Sequence, residues 1–359
     1  MTVALNLASD VVELTRAICD IESVSGNEKA LADAIHEALS KCAHLEITRD
    51  GDAIVARTNL GRTSRVVIAG HIDTVPVADN LPTQLLSMER EQVLWGRGVV
   101  DMKAGVAVQL KLAAELTEPN QDVTWIFYDH EEVEATKNGL GRLARNHPNL
   151  IAADFAVLCE PTSGEVEGGC NGTLRAELKF AGVKAHSARP WMGKNAIHGA
   201  AEALATLAKY VPSEVSVDGL VYRESLNAVL IRGGIATNVI PDDCVITVNY
   251  RFAPSKSAAD AEAHLREVFA GVNLEVTDAA EGARPGLDRP EAVAFLAATG
   301  SQARPKYGWT DVARFSALGI PAVNYGPGDP SKAHADDEAL PVGQIYAVEA
   351  GLRTWLSAK

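Results

Sequence analysis

The sequence predicts an α/β fold: a mixed, largely parallel sheet flanked by helices, carrying an inserted α+β sandwich of ferredoxin-like type. Three observations predict it. Short apolar, β-branched runs ending in turn residues, at 66–69, 123–128 and 155–159, alternate with helical periodicity. From Gly172 the order changes to strand, helix, two strands, helix, strand. After Gly282-Ala-Arg-Pro-Gly286 the first texture returns. The 359 residues therefore divide into a first domain, 1–172 and 284–359, and an inserted domain, 173–283.

In chain order, Leu14, Ala17, Ile18 and Ile21 share one face of a helix whose first turn carries Asp10 and Glu13. A turn at 23–27 leads to a second helix defined by Leu31, Ile35 and Leu39. Strands are expected at 45–48, 53–57 and 66–69, then the glycine-rich loop Trp95-Gly-Arg-Gly98. Residues 103–116 read as a helix with Val106, Leu110 and Ala113 inward. Strands 123–128 and 155–159 follow. The insert offers strand 173–180, helix 195–211, strands 228–232 and 244–252, helix 257–270 and strand 272–276. The return segment holds a helix, strand 321–324, a Gly/Pro loop at 325–330 and a final helix from about 342.

Composition narrows the function classes. The chain is 47% hydrophobic, enough for a core, with a net charge of −14 and no Lys/Arg-rich run, which argues against nucleic acid. No apolar run approaches the ~20 residues of a membrane span. The N-terminal stretch lacks the basic flank and apolar core of a secretory signal. The five cysteines are odd in number, scattered and without a CxxC pair, as expected of core residues in a reducing cytoplasm.

The chemistry gathers at strand ends. His71 stands one residue past the run 66–70, where open α/β sheets hold ligands. Asp73 is spaced to brace that ring or a neighbouring group. Asp101 follows the glycine-rich loop, Glu131 and Glu132 follow strand 123–128, Glu160 follows strand 155–159, and His334 lies in Lys332-Ala-His-Ala-Asp-Asp-Glu338. Singly, each passes as a helix cap, a solvated turn or a surface histidine. Together they bring two imidazoles and four carboxylates toward one sheet edge, which a metal site needs and a solvated surface does not. This donor mix suits Zn²⁺, with Co²⁺ or Mn²⁺ as substitutes. Six groups exceed one tetrahedral ion, and a carboxylate can bridge two ions about 3.5–4 Å apart. Adjacent Glu131 and Glu132 diverge, so one can bind metal while the other stays free as a base.

His71-x-Asp73, Gly98-x-x-Asp101-Met-Lys, Glu131-Glu132, Glu160-Pro161-Thr162 and Ala333-His334 resemble, in order, the signature of the dinuclear zinc amidohydrolases. That family includes aminoacylase, carboxypeptidase G and acetylornithine deacetylase. Ala69-Gly-His-Ile-Asp-Thr-Val-Pro-Val77, Ala185-His-Ser-Ala-Arg-Pro-Trp191, Asn249-Tyr-Arg-Phe-Ala-Pro254, Tyr307-Gly-Trp-Thr-Asp311 and Asn324-Tyr-Gly-Pro-Gly-Asp329 resemble its actinobacterial succinyl-diaminopimelate desuccinylase branch. The resemblance covers essentially the whole chain.

It implies two zinc ions bridged by Asp101, one completed by His71 and Glu160 and the other by Glu132 and His334. Glu131 is then the general base, Asp73 supports the site, and a non-proline cis peptide follows Asp101. The first domain becomes the catalytic, zinc-binding one. The insert becomes a dimerisation or lid domain, whose His186 reaches the partner subunit's active site in a homodimer and stabilises the oxyanion. The implied reaction is hydrolysis of N-succinyl-LL-2,6-diaminopimelate to succinate and LL-2,6-diaminopimelate.

By position in the family pattern, Thr173, Arg189, Asn238, Arg251, Thr310 and Arg314 are candidate substrate contacts, and arginine suits planar carboxylates. Gly169-Cys170-Asn171-Gly172-Thr173 lacks the arginines many desuccinylases carry there, and Arg189 stands where many have tyrosine. His130 has no assigned role. His36, His44, His147, His198 and His264 read as structural. The alternatives are acetylornithine deacetylation or another acyl-amino-acid or dipeptide hydrolysis, and a non-catalytic zinc- or ligand-binding module. Glu131 argues against that module, since it has no ligand role in the assignment.

Overall fold

Four apolar runs form the parallel heart of an eight-stranded sheet: Asp122–Tyr128, Arg65–His71, Phe155–Leu158 and Ala322–Asn324, adjacent in that order. These strands are buried almost throughout, which is why they read as continuous hydrophobic runs rather than alternating ones. Antiparallel Ala53–Arg57 and Glu46–Asp50 extend one side, and Glu167–Gly168 and Arg304–Pro305 the other. This computed structural model describes residues 4–88 and 91–357.

Helices cover the sheet. Val11–Cys19 starts at Asp10, whose Oδ1 accepts the Val12 N–H at 2.9 Å. Lys103–Glu115 is buried on nearly all sides. Its Gly105 lets it lie against the end of Phe155–Leu158: a Cβ there would stand 2.3 Å from the Cys159 carbonyl oxygen. Val342–Ser357 brings Trp355 against Phe155 and Phe295. A small sheet of Gln84–Met88, Glu91–Trp95 and Ala339–Pro341 was not expected. Its strands are short and Gln84–Met88 is exposed along its whole length, so no alternation marks it.

The chain divides into two compact units. The first takes residues up to Gly168, Gly286–Arg304 and those from Arg314 onward; the second takes Gly169–Pro285 and Pro305–Ala313. The second unit thus begins before 173, and it includes 305–313, which the sequence assigns to the first domain. Hydrogen bonds explain that placement. Asn171 N–H donates to Lys306 O at 3.2 Å, and Trp309 Nε1 to Glu281 O at 3.0 Å.

The second unit is a four-stranded antiparallel sheet in the order Ser225–Gly233, Asp243–Phe252, Gly172–Ala181, Asn273–Ala280. Helices Ala201–Lys209 and Ala258–Val268 accompany it, the latter opened by a Ser257/Asp260 capping box. Its core holds Leu174, Leu178, Ile246, Val248, Phe252 and Leu265. The helix expected over 195–211 divides into Ala196–Gly199 and Ala201–Lys209, and the hairpin Glu214–Val217/Leu220–Arg223 carried no sequence signal. All five cysteines are free. Among the described residues, no helix is long and apolar enough to cross a membrane.

Candidate metal centre

The C-terminal ends of the parallel strands set the site. His71 ends Arg65–His71, Glu160 lies two residues past Phe155–Leu158, and Glu131 and Glu132 follow Asp122–Tyr128. The His71 ring is buried. Its Nδ1 lies 3.0 Å from the Asp73 carbonyl oxygen, which can only accept. That bond puts a proton on Nδ1 and directs Nε2 to the site, 3.0 Å from Asp101 Oδ1.

The Asp73 carboxylate works mainly elsewhere. Its Oδ1 accepts the Glu131 N–H at 3.0 Å; Oδ2 accepts the Glu132 N–H at 3.1 Å and the Ser25 hydroxyl at 2.6 Å. Burial alone would raise this carboxyl, but His71 and those donors hold it down at about 2. One buried anion therefore fixes the turn that presents both glutamates. His130, left without a role by the sequence, braces the same turn. Its backbone is left-handed (φ 58°), its Nδ1 lies 2.7 Å from Asp129 Oδ2, and its N–H donates to Glu28 Oε1 at 3.2 Å. Arg142 completes the brace with a two-pronged hold on Asp129.

Asp101 leaves the glycine-rich loop through a cis peptide to Met102. Its Oδ2 lies 3.3 Å from His334 Nε2, which is also 3.0 Å from Glu132 Oε1. The loop 96–101 is held by Glu338, a buried carboxylate the sequence reading passed over as one more acid after Asp336 and Asp337.

Among the described residues three donor groups result, each with ligand atoms within 4.8 Å of one another: His71, Asp101 and Glu160; Asp101, Glu132 and His334; His71, Glu131 and Glu132. The first two share Asp101. Two three-ligand sets joined by one carboxylate fit a dinuclear ion site, and imidazole with carboxylate is chemistry that divalent transition ions accept. The third set admits Glu131 as a ligand as well as a base.

Without an ion, the two histidines of these groups hold protons. Hydrogen bonds to Asp101 and Glu132 raise His334 to about 10. Burial would lower His71, but Asp101 and Asp73 outweigh it and raise it well above its ordinary value. Burial would raise Asp101, but the His334 and His71 rings hold it well below the carboxylate range. Both rings are therefore imidazolium near neutral pH, and an arriving cation must displace their protons. Metal uptake at pH 7 is expected to release protons, with affinity rising as pH rises toward 10. Calorimetry in two buffers of different ionisation enthalpy measures the release; pH-independent affinity between 6 and 9 would contradict it.

The remaining candidates lie mostly in the second unit. Thr173 and Arg251 face each other across the strand pair Gly172–Ala181/Asp243–Phe252. Thr173 Oγ1 accepts from Asn249 Nδ2 at 3.2 Å, while Arg251 Nε donates to Asn249 Oδ1 at 3.2 Å. His186, Arg189 and Asn238 form a second, exposed group: Ser187 N–H donates to Asn238 O at 2.9 Å and Arg189 N–H to His186 O at 2.8 Å. Thr310 is buried in this unit, its carbonyl near Cys170 Sγ. Arg314 belongs to the first unit, its guanidinium beside Gly141.

Residues 67–358 match peptidase family M20/M25/M40. The chain belongs to this family. It is 53% identical over 355 residues to a Mycobacterium tuberculosis protein described as "Putative succinyl-diaminopimelate desuccinylase DapE", covering 98% of this chain and 99% of that protein. It is 46% identical over 364 residues to the succinyl-diaminopimelate desuccinylase of Corynebacterium glutamicum, covering 98% of both. A Staphylococcus aureus tripeptidase shares the fold at a TM-score of 0.80, with 19% identity over 99% of this chain and 98% of that one. A Bacillus subtilis protein described as a dinuclear metal-binding M20 peptidase shares it at 0.71, with 16% identity over 96% of each. This M20 chain is an enzyme, a hydrolase of the metallopeptidase type.

Proposed function

We propose that this hydrolase cleaves the succinyl amide of N-succinyl-LL-2,6-diaminopimelate, giving succinate and LL-2,6-diaminopimelate for lysine and diaminopimelate synthesis. The observation that carries the reading is near-full-length identity of 53% and 46% to two proteins named for that reaction. The donor set at the sheet edge supports it.

His71, Asp101 and Glu160 would hold one Zn²⁺, and Asp101, Glu132 and His334 a second. When bound, such ions supply a polarised carbonyl and a water acidic enough to lose its proton near neutral pH. Glu131 would take a proton from the attacking water and deliver it to the departing amine. Asp73, through the two N–H groups it accepts, keeps Glu131 and Glu132 apart in role and fixed in place. Thr173, Arg189, Asn238, Arg251, Thr310 and Arg314 are the proposed contacts for the substrate's three carboxylates.

The chain would work as a homodimer through its inserted unit. Ser225–Gly233 is an edge strand with Leu230 65% exposed and Ile231 54% exposed, an edge that a second copy could cover. His186 would serve the partner subunit's site. Its Nδ1 accepts the Ala188 N–H at 3.1 Å, so the neutral ring carries its proton on Nε2, the donor an oxyanion needs. Mixing His186→Ala with Glu131→Ala subunits is expected to restore up to about a quarter of wild-type activity, since one site of each heterodimer regains both groups. No recovery after demonstrated subunit exchange would remove the shared site.

The direct test is succinate release by zinc-loaded protein, beside N-acetylornithine and a chelated control. Fast, chelator-sensitive turnover of the succinyl substrate alone is expected. Turnover of acetylornithine instead would keep the mechanism and overturn the substrate.

A further inference from the structure

We propose that Glu338 is a positioning residue for the metal centre, setting where the Asp101 and His334 loops stand without touching a metal ion. The inference rests on the reading that Asp101 and His334 hold metal. Glu338 is 1% exposed, and its carboxylate receives four donors. Oε2 accepts Gly98 N–H at 3.0 Å and Arg97 Nη1 at 2.9 Å; Oε1 accepts Val100 N–H at 2.8 Å and Asp101 N–H at 3.1 Å. Four donors occupy about all the lone-pair directions a carboxylate has.

Three of those donors are main-chain N–H groups of the segment ending at Asp101, converging on one anion. The fourth, Arg97 Nη1, also donates to Ala335 O at 3.1 Å, one residue after His334. Gly96 N–H donates to the Glu338 carbonyl at 3.0 Å, closing the same two segments again. Asp101, shared by both donor sets, and the His334 segment are thus clamped through a single buried charge. Near a buried anion already neutralised by Arg97, an ordinary core would need no such array of backbone donors. The array makes sense if the direction of Asp101 has to be held against the pull of two cations.

An amide cannot replace this carboxylate. In Glu338→Gln one oxygen becomes an NH₂ group facing two N–H donors, which leaves donors unpaired in a buried place. The expected result for folded Glu338→Gln is a loss of about 10–100-fold in metal affinity, largest for the equivalent held by Asp101, Glu132 and His334, the set that contains both positioned residues. It should show an altered visible spectrum with Co²⁺ and a lower kcat with KM nearly unchanged. Glu338→Asp, which keeps the charge on a shorter arm, should recover part of the affinity. If Glu338→Gln does not fold, Arg97→Gln decides the matter: it removes one donor and should shift the same metal affinity by a smaller factor. Unchanged affinity and Co²⁺ spectrum in the folded variants, with only a lower Tm, would overturn the proposal. Wild-type protein that binds no second equivalent would instead defeat the metal reading on which it rests.

Discussion

Glu131→Ala is expected to lower kcat by about a thousandfold while both metal equivalents stay bound. A positioned general base contributes on the order of 10²–10⁴ in rate, and this one is asked to serve twice, at the water and at the leaving amine. The scaffold should survive the change. What Asp73 receives from position 131 is the main-chain N–H, 3.0 Å away, and alanine keeps it. Glu132 retains its own bond to Asp73 Oδ2. KM should therefore move little, the mark of a group used in the transition state rather than in binding. Metal analysis and steady-state kinetics on the same preparation check this. Loss of an ion would instead show Glu131 acting as a ligand, as the group His71, Glu131 and Glu132 allows. Activity within about tenfold of wild type would leave the base role with another residue.

Most of this site was legible because its residues sit just past strands that announce themselves. A buried parallel strand is a run of apolar residues, and its end is where the runs at 66–71, 122–128 and 155–158 stop. His71, Glu131, Glu132 and Glu160 follow from that punctuation. Asp101 and His334 were candidates from their loops alone, and the resemblance supplied only their roles, because a Gly/Pro loop says little about where its next residue points. The structure brings all six near one another.

Other features depend on contacts between distant segments, which no local pattern carries. Glu338 lies about 240 residues from the loop it holds, within an acidic run that reads as solvated surface. Asp73 was expected to brace a ring or a neighbour; it does both, with its carbonyl under the ring and its carboxylate under the two glutamates. The segment 305–313 joins the second unit through bonds to Asn171 and Glu281, so an apparent domain boundary at 284 misses it. The substrate contacts are the least legible. Thr173 and Arg251 meet only because two strands pair in one register, and a slip of one residue would send them to opposite faces.

Asp101→Ala is expected to be the most damaging single change to metal binding. Asp101 belongs to both donor sets, so its loss takes one ligand from each and leaves His71 with Glu160 and Glu132 with His334. Structural zinc sites bind with about 10–16 kcal/mol over four ligands, roughly 3 kcal/mol per ligand, or about a hundredfold in affinity. Both sites should weaken by that factor, and activity at micromolar zinc should fall below detection. The metal-free variant should remain folded. Removing the anion returns His334 from about 10 toward its ordinary value, although Glu132 still raises it. His71 loses the first of the two carboxylates that offset its burial and shifts down as well. The variant should therefore release fewer protons per ion bound at pH 7 than the wild type. Falling affinity with falling proton release is a pairing that disturbed folding alone would not produce. Two ions bound at wild-type affinity would mean that Asp101 bridges nothing, and the donor sets would then have to be redrawn around His71 or Glu132, each of which is shared by another two of the three groups.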